Sequence, residues 1–138
     1  MLYFAYGSNL NHFQMKRRCK DSIFLKKYEL KGFRLNFRSK YRAADIEKKN
    51  NSLVPGALFE ISKSDEKKLD IYEDFPNTYI KKYFKLLGKK VMFYYMPKKT
   101  MHVPPSKRYL NLIIQGYKDC GYKNNYIVIS RNKKIKVK

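Results

Sequence analysis

Leu2-Tyr3-Phe4-Ala5-Tyr6-Gly7-Ser8-Asn9-Leu10 opens the chain, and its reading decides the rest. The apolar run 2–6 predicts a short buried strand, and Gly7-Ser8-Asn9 ends it in a tight loop. Glycine permits close approach and unusual backbone angles, so several N–H groups can converge in such a turn. That concavity suits a carboxylate or an oxyanion. The same residues also fit an ordinary strand-to-helix turn, with Asn9 or Asn11 capping a short helix over about 11–19.

Working outward, residues 23–38 read as a strand in which Phe33, Leu35 and Phe37 alternate with Arg34, Asn36 and Arg38, interrupted by a bulge or turn at Gly32. The polar stretch 40–53, with Lys48-Lys49-Asn50-Asn51, predicts an exposed loop. Strand character returns over 54–61, with Pro55 at the start, where a missing donor is tolerated. Ser62 or Ser64 then caps a helix, and Ser62 with Asp65 has capping-box spacing. Leu69 and Tyr72 form its apolar stripe, and Asp70, Glu73 and Asp74 close it before Phe75-Pro76. Strands over 78–87 and 90–96 meet at Gly88, and a proline-containing loop, 97–105, follows. A helical part over about 107–131, broken near Gly121, leads to a solvated basic tail over about 132–138. No repeat or linker divides the chain, so residues 1–138 read as one α+β domain: a small mixed β-barrel, curved or closed, flanked by short helices.

Composition narrows the function classes. The 138 residues are 43% hydrophobic, enough for a core, and no run approaches the roughly 20 apolar residues of a membrane span. The N-terminus lacks the basic start and cleavage site of a secretory signal. Cys19 and Cys120 are too few for a disulfide framework, and a reduced cytoplasmic setting is expected. His12 and His102 have no metal-ligand spacing, so no metal is expected. Thirty-two Lys and Arg against 11 Asp and Glu leave a net charge of +21, a field that would attract polyanions. Lys far outnumbers Arg, and Asn, Ile, Tyr and Phe are abundant with it. Compositional drift toward AT-rich codons therefore outweighs evolved nucleic-acid binding, which favours the forked guanidinium.

Glu73 is the second chemical candidate. A glutamate on a helix is ordinarily a solvated group, here one with many lysines to pair. A helix C-terminus disfavours a carboxylate, however, and Tyr72, Phe75 and Pro76 add apolar bulk. Both raise the pKa and make a better proton acceptor near neutrality. Asp70 and Asp74 compete, and residue physics does not separate the three. Ser8 has no His–Asp partners at recognisable spacing and fails the GxSxG pattern. Gly7 belongs to no nucleotide-binding loop. Cys120 fits a nucleophile less well than a small buried thiol. Tyr109 fits a pocket wall and core packing equally.

Four segments resemble the gamma-glutamylcyclotransferases, in order and across about residues 2–126. LYFAYGSNL (2–10) is similar to the signature segment. Val54-Pro55-Gly56-Ala57-Leu58-Phe59 resembles the central strand. Leu69-Asp70-Ile71-Tyr72-Glu73 resembles the helix end that carries the catalytic glutamate. Pro104-Pro105-Ser106-Lys107-Arg108-Tyr109, with Ile113, Ile114 and Gly116, resembles the late segment and its helix. The resemblance implies a mixed fold around a small barrel, no cofactor and frequent homodimers. It also implies a small γ-glutamyl substrate held by Tyr3, Phe4, Ala5, Tyr6, Gly7, Ser8, Asn9 and Tyr109, with Glu73 as proton acceptor. Many relatives carry Gly after the glutamate where this chain has Asp74, whose carboxylate would raise the Glu73 pKa further or restrict substrates. The expected reaction is cyclisation of a γ-glutamyl amide to 5-oxoproline with release of an amino acid. The alternatives are the same chemistry on a γ-glutamylamine or antibiotic-linked unit, and a non-enzymatic nucleic-acid-binding module.

Overall fold

The computed structural model describes residues 1–123 and the strands Tyr126–Val128 and Lys134–Lys136. Strand β1 (Leu2–Ala5) runs into a 3-10 turn (Ser8–Leu10) and helix α1 (His12–Arg18). Then come β2 (Ile23–Arg38), β3 (Ala43–Glu60), α2 (Lys63–Tyr72), β4 (Ile80–Leu86), β5 (Lys89–Tyr95) and α3 (Lys107–Asp119), with β6 (Tyr126–Val128) and β7 (Lys134–Lys136) last.

The main sheet has the order β2-β3-β1-β5-β4. β1 lies at its centre, antiparallel to β3 (Tyr3 opposite Phe59) and parallel to β5 (Tyr3 opposite Met92). A strand covered on both faces must be apolar at every position, and Tyr3, Phe4 and Ala5 are all buried. The mixed α+β class is as expected, and the barrel is an open one. Its hydrogen-bond ladder leaves β2 and β4 as edges, and the seam is filled by rings: Tyr28 of β2 stacks on Phe84 of β4 at 5.7 Å, with Phe4 about 6 Å from both.

Local signals placed most elements. Asn11 caps α1 by accepting from Gln14 N–H. Ser62 and Asp65 form the reciprocal capping box, so the cap is Ser62 and not Ser64. Gly32 sits at a register shift between Lys31 and Phe33.

Three expectations are corrected. Lys48-Lys49-Asn50-Asn51 lies within β3 rather than in a separate loop, but of these four Lys48 alone pairs with β2: Phe33 is opposite Lys48 and Lys31 opposite Leu53, so residues 49–52 bulge out across from Gly32. The side chains there are exposed, as the polar composition implies, and the ladder on either side carries the strand past the bulge. Pro55 consequently lies inside a strand, beyond the end of β1, where β3 pairs on one side only. The last helix stops at Asp119, and Gly121 follows with φ +94°, so Tyr126–Val128 is a strand. It pairs with Lys134–Lys136, so that part of the basic run is a strand. Positions 124–125, 129–133 and 137–138 of those expected segments lie outside the described residues.

Candidate active site

A cavity of about 450 Å³ opens where β1 ends, lined by Gly7, Ser8 and Asn9, by Ala43 and Ala44 of β3, by Tyr72 and Glu73 at the end of α2, and by further tyrosines including Tyr109. The strand-end turn and the glutamate therefore share one space, although 64 positions separate Asn9 from Glu73. α3 presses on the back of the turn. A Cβ on Gly116 would stand 2.6 Å from Leu10 and Asn11 backbone atoms, so only glycine permits this approach. Gly7, Ser8 and Asn9, where that turn starts, border the cavity, and the first N–H groups of a helical turn have no acceptor within it.

Glu73 is the C-cap of α2, its N–H donating to Leu69 O at 2.8 Å. Among the described residues its carboxyl has no hydrogen bond or ion pair. Burial pushes its pKa from the usual 4.5 up to about 7, opposed by the nearby Arg18 cation. The competing carboxylates are engaged elsewhere. Asp70 pairs with Lys81 Nζ at 2.9 Å and accepts from Tyr94 Oη at 2.7 Å. Asp74 accepts from Thr78 Oγ1 at 2.8 Å and Asn77 Nδ2 at 3.2 Å, which hold its carboxyl below the usual range. Its φ is +52°, the left-handed region that favours glycine. The expected Asp74 effect on the Glu73 pKa is absent; burial alone raises it. Of the apolar neighbours of Glu73 along the chain, Tyr72 lines the cavity with it, while the Phe75 ring lies 4.3 Å from Lys81 Nζ.

Tyrosines build the walls, and their hydrogen bonds fix where each hydroxyl proton goes. Tyr6 donates to Tyr94 O at 2.8 Å and Tyr79 donates to Ala44 O at 2.5 Å, so both protons are spent on backbone. Tyr109 instead accepts from Ala44 N–H at 3.2 Å, and Tyr3 accepts from Asn9 Nδ2 at 2.9 Å. An acceptor hydroxyl keeps its own proton to give, so Tyr3 and Tyr109 can donate to a ligand; Tyr72, which accepts from Arg18 Nη2, also keeps its proton, with Ser8 Oγ 3.4 Å away.

Of the residues expected at the site, Tyr3, Tyr6, Gly7, Ser8, Asn9, Glu73 and Tyr109 meet at the cavity. Phe4 and Ala5 do not: both are fully buried, Phe4 in the ring seam on the face opposite Tyr3. Sequence reasoning missed Arg18, Tyr72, Tyr79 and Tyr94. The alternation in β5 could have flagged Tyr94, but nothing local distinguishes Arg18 from Lys16 and Arg17. Cys120 is buried with its thiol pushed up to about 12, inert packing rather than a nucleophile. Among the described residues no three His, Cys, Asp or Glu converge as metal ligands, and no helix is long and apolar enough to cross a membrane.

This geometry has known counterparts. A structure named gamma-glutamyl cyclotransferase superposes with a TM-score of 0.74 at 27% identity, over 88% of this chain and 80% of that one. An uncharacterized protein from Homo sapiens gives 0.73 at 27% identity, over 87% and 79%. YkqA from Bacillus subtilis shares the fold at 22% identity and 0.69, over 86% of this chain and 48% of that one. No curated protein matches the sequence. The family model for gamma-glutamyl cyclotransferase, AIG2-like, matches residues 3–111, a span that holds every residue lining the cavity. The chain therefore belongs to the gamma-glutamyl cyclotransferase, AIG2-like family.

Proposed function

We propose that the protein is an enzyme that cleaves a γ-glutamyl amide by intramolecular aminolysis, releasing 5-oxoproline and a free amino acid or amine. The observation that carries this reading is the unpaired Glu73 carboxyl facing the same small cavity as the Gly7-Ser8-Asn9 turn. A proton acceptor with a pKa of about 7 is matched to taking a proton near neutral pH.

In the reaction the Glu73 carboxylate removes a proton from the substrate's α-ammonium group. The freed amine attacks the γ-carbonyl carbon, forming the ring C–N bond and an oxyanion. As the scissile C–N bond breaks, Glu73 returns the proton to the leaving nitrogen and then carries the ring nitrogen's second proton to the freed amine, which departs as an ammonium. Atoms balance without water, because substrate becomes 5-oxoproline plus amine. The turn amides, with the hydroxyls of Tyr3 and Tyr109, suit the α-carboxylate or the developing oxyanion. Walls of tyrosine rings keep the glutamyl arm folded so that amine and carbonyl meet, an entropic contribution that spans several kcal/mol in well-oriented systems.

The test is direct. Incubation with γ-glutamyl dipeptides and γ-glutamylamines should yield 5-oxoproline, and the better series identifies the leaving group. Glu73→Gln should keep the fold and lower turnover roughly 10²–10⁴-fold, the usual effect of losing a general base. Absence of 5-oxoproline from every compound, or full turnover by the variant, refutes the reading.

A further inference from the structure

We propose that Arg18 is a positioning residue of this site: through Asn9 it aims the Tyr3 hydroxyl into the cavity, and through Tyr72 it ties the Ser8–Asn9 turn to the helix end that carries Glu73.

Donor and acceptor types set the direction of each bond around Arg18. A guanidinium has donors only. Arg18 Nη1 donates to Ser8 Oγ at 3.1 Å and to Asn9 Oδ1. Asn9 must turn its oxygen toward Arg18, and its Nδ2 then donates to Tyr3 Oη at 2.9 Å. Tyr3, made an acceptor, has its own proton to give elsewhere. Without Arg18 the Asn9 amide is free to flip, and the Tyr3 proton to turn back onto its oxygen. The second arm reaches across the molecule. Arg18 Nη2 donates to Tyr72 Oη at 2.6 Å, and the guanidinium carbon lies 3.6 Å from that ring's centre. Tyr72 is the last residue of α2, and Glu73 follows it. One side chain thus joins α1, the turn and α2.

Arg18 is also the cation that acts on Glu73. The charged and titratable groups within electrostatic reach of that carboxyl are Arg18 from α1, Tyr3 and Tyr6 from β1 and its end, Tyr79 ahead of β4, Tyr94 from β5 and Tyr109 from α3. Asp74 is turned to Thr78 and Asn77. Arg18 is the one positive charge in that set, so its removal changes the proton affinity of Glu73 in a known direction.

The test uses the full chain as wild type, Arg18→Gln and Arg18→Lys. The Glu73 carboxyl is titrated by carbon NMR in each, and kcat and KM are measured against pH. In Arg18→Gln the Glu73 midpoint should rise above about 7 by about one pH unit, as expected for losing a near cation. The acid limb of kcat/KM should rise with it. Arg18→Lys keeps the charge without the planar fork, so its midpoint should stay near the wild-type value while kcat falls at least tenfold and KM moves little. Combining either change with Tyr3→Phe should lower kcat less than the product of the two separate effects, because both act through one hydroxyl. An unmoved Glu73 midpoint in Arg18→Gln, or equal loss in both variants with strictly multiplicative effects, overturns the proposal. The kinetic arm rests on the reaction proposed above and the titration does not. A wild-type protein without turnover would refute that reaction while the Glu73 midpoint still judges Arg18.

Discussion

Replacing Glu73 with glutamine should stabilise the protein at alkaline pH while disabling it. The Glu73 carboxyl ordinarily titrates at 4.5 and here at about 7, because the folded chain strips it of water. A raised acid pKa means that the folded state binds the proton more tightly than the unfolded state. Stability from this group is thus fully present below about 4.5 and is lost as pH climbs toward 7. Each pH unit between the two values is worth about 1.36 kcal/mol, so an ionised Glu73 costs the fold roughly 3 kcal/mol above neutrality. Part of the residue remains open to the cavity, and solvent screening brings the figure to about 2 kcal/mol. Glutamine is nearly isosteric and neutral at every pH. Thermal unfolding of both proteins should therefore show nearly equal Tm at pH 4.5 and a variant higher by about 6 °C at pH 8. Comparing the two proteins at each pH cancels the other titrating groups. A Tm difference independent of pH, or a variant less stable at pH 8, would refute the claim that Glu73 is held ionised against its surroundings.

Three further outcomes follow from the fold. Gly116→Ala should destabilise by about 1–3 kcal/mol and weaken turnover of γ-glutamyl substrates, because the added methyl pushes on the Leu10–Asn11 backbone behind the turn; denaturant unfolding and KM measure the two effects. Asp45→Asn should cost about 3–5 kcal/mol in urea unfolding, since Asp45 is fully buried and holds Arg38 at 2.9 Å, Lys99 Nζ at 2.7 Å and Met96 N–H at 2.9 Å. Leu87→Asn should raise stability by about 1 kcal/mol. Leu87 is exposed with φ +50° beside Gly88 at +79°, a two-residue hairpin that asparagine-glycine fits better than leucine-glycine.

What the sequence determined by itself was whatever rests on neighbours along the chain. The run Leu2–Ala5 and its Gly-Ser-Asn stop fixed the central strand and the turn. The Ser62–Asp65 capping box fixed the start of α2, and the stripe of Leu69 and Tyr72 placed Glu73 at its end. These are contacts within four residues, and residue type alone specifies them. The tertiary structure decided what depends on distant partners. Lys48 and Leu53 became strand because β2 supplied a ladder on both sides of the 49–52 bulge. Among three neighbouring carboxylates, Lys81 and Tyr94 took Asp70, Thr78 took Asp74, and Glu73 was left in the cavity. Arg18 acquired its place the same way, from a tyrosine 54 positions ahead. Burial, pairing and proton affinity are sums over groups that only folding brings together, so no local pattern could have ranked those side chains.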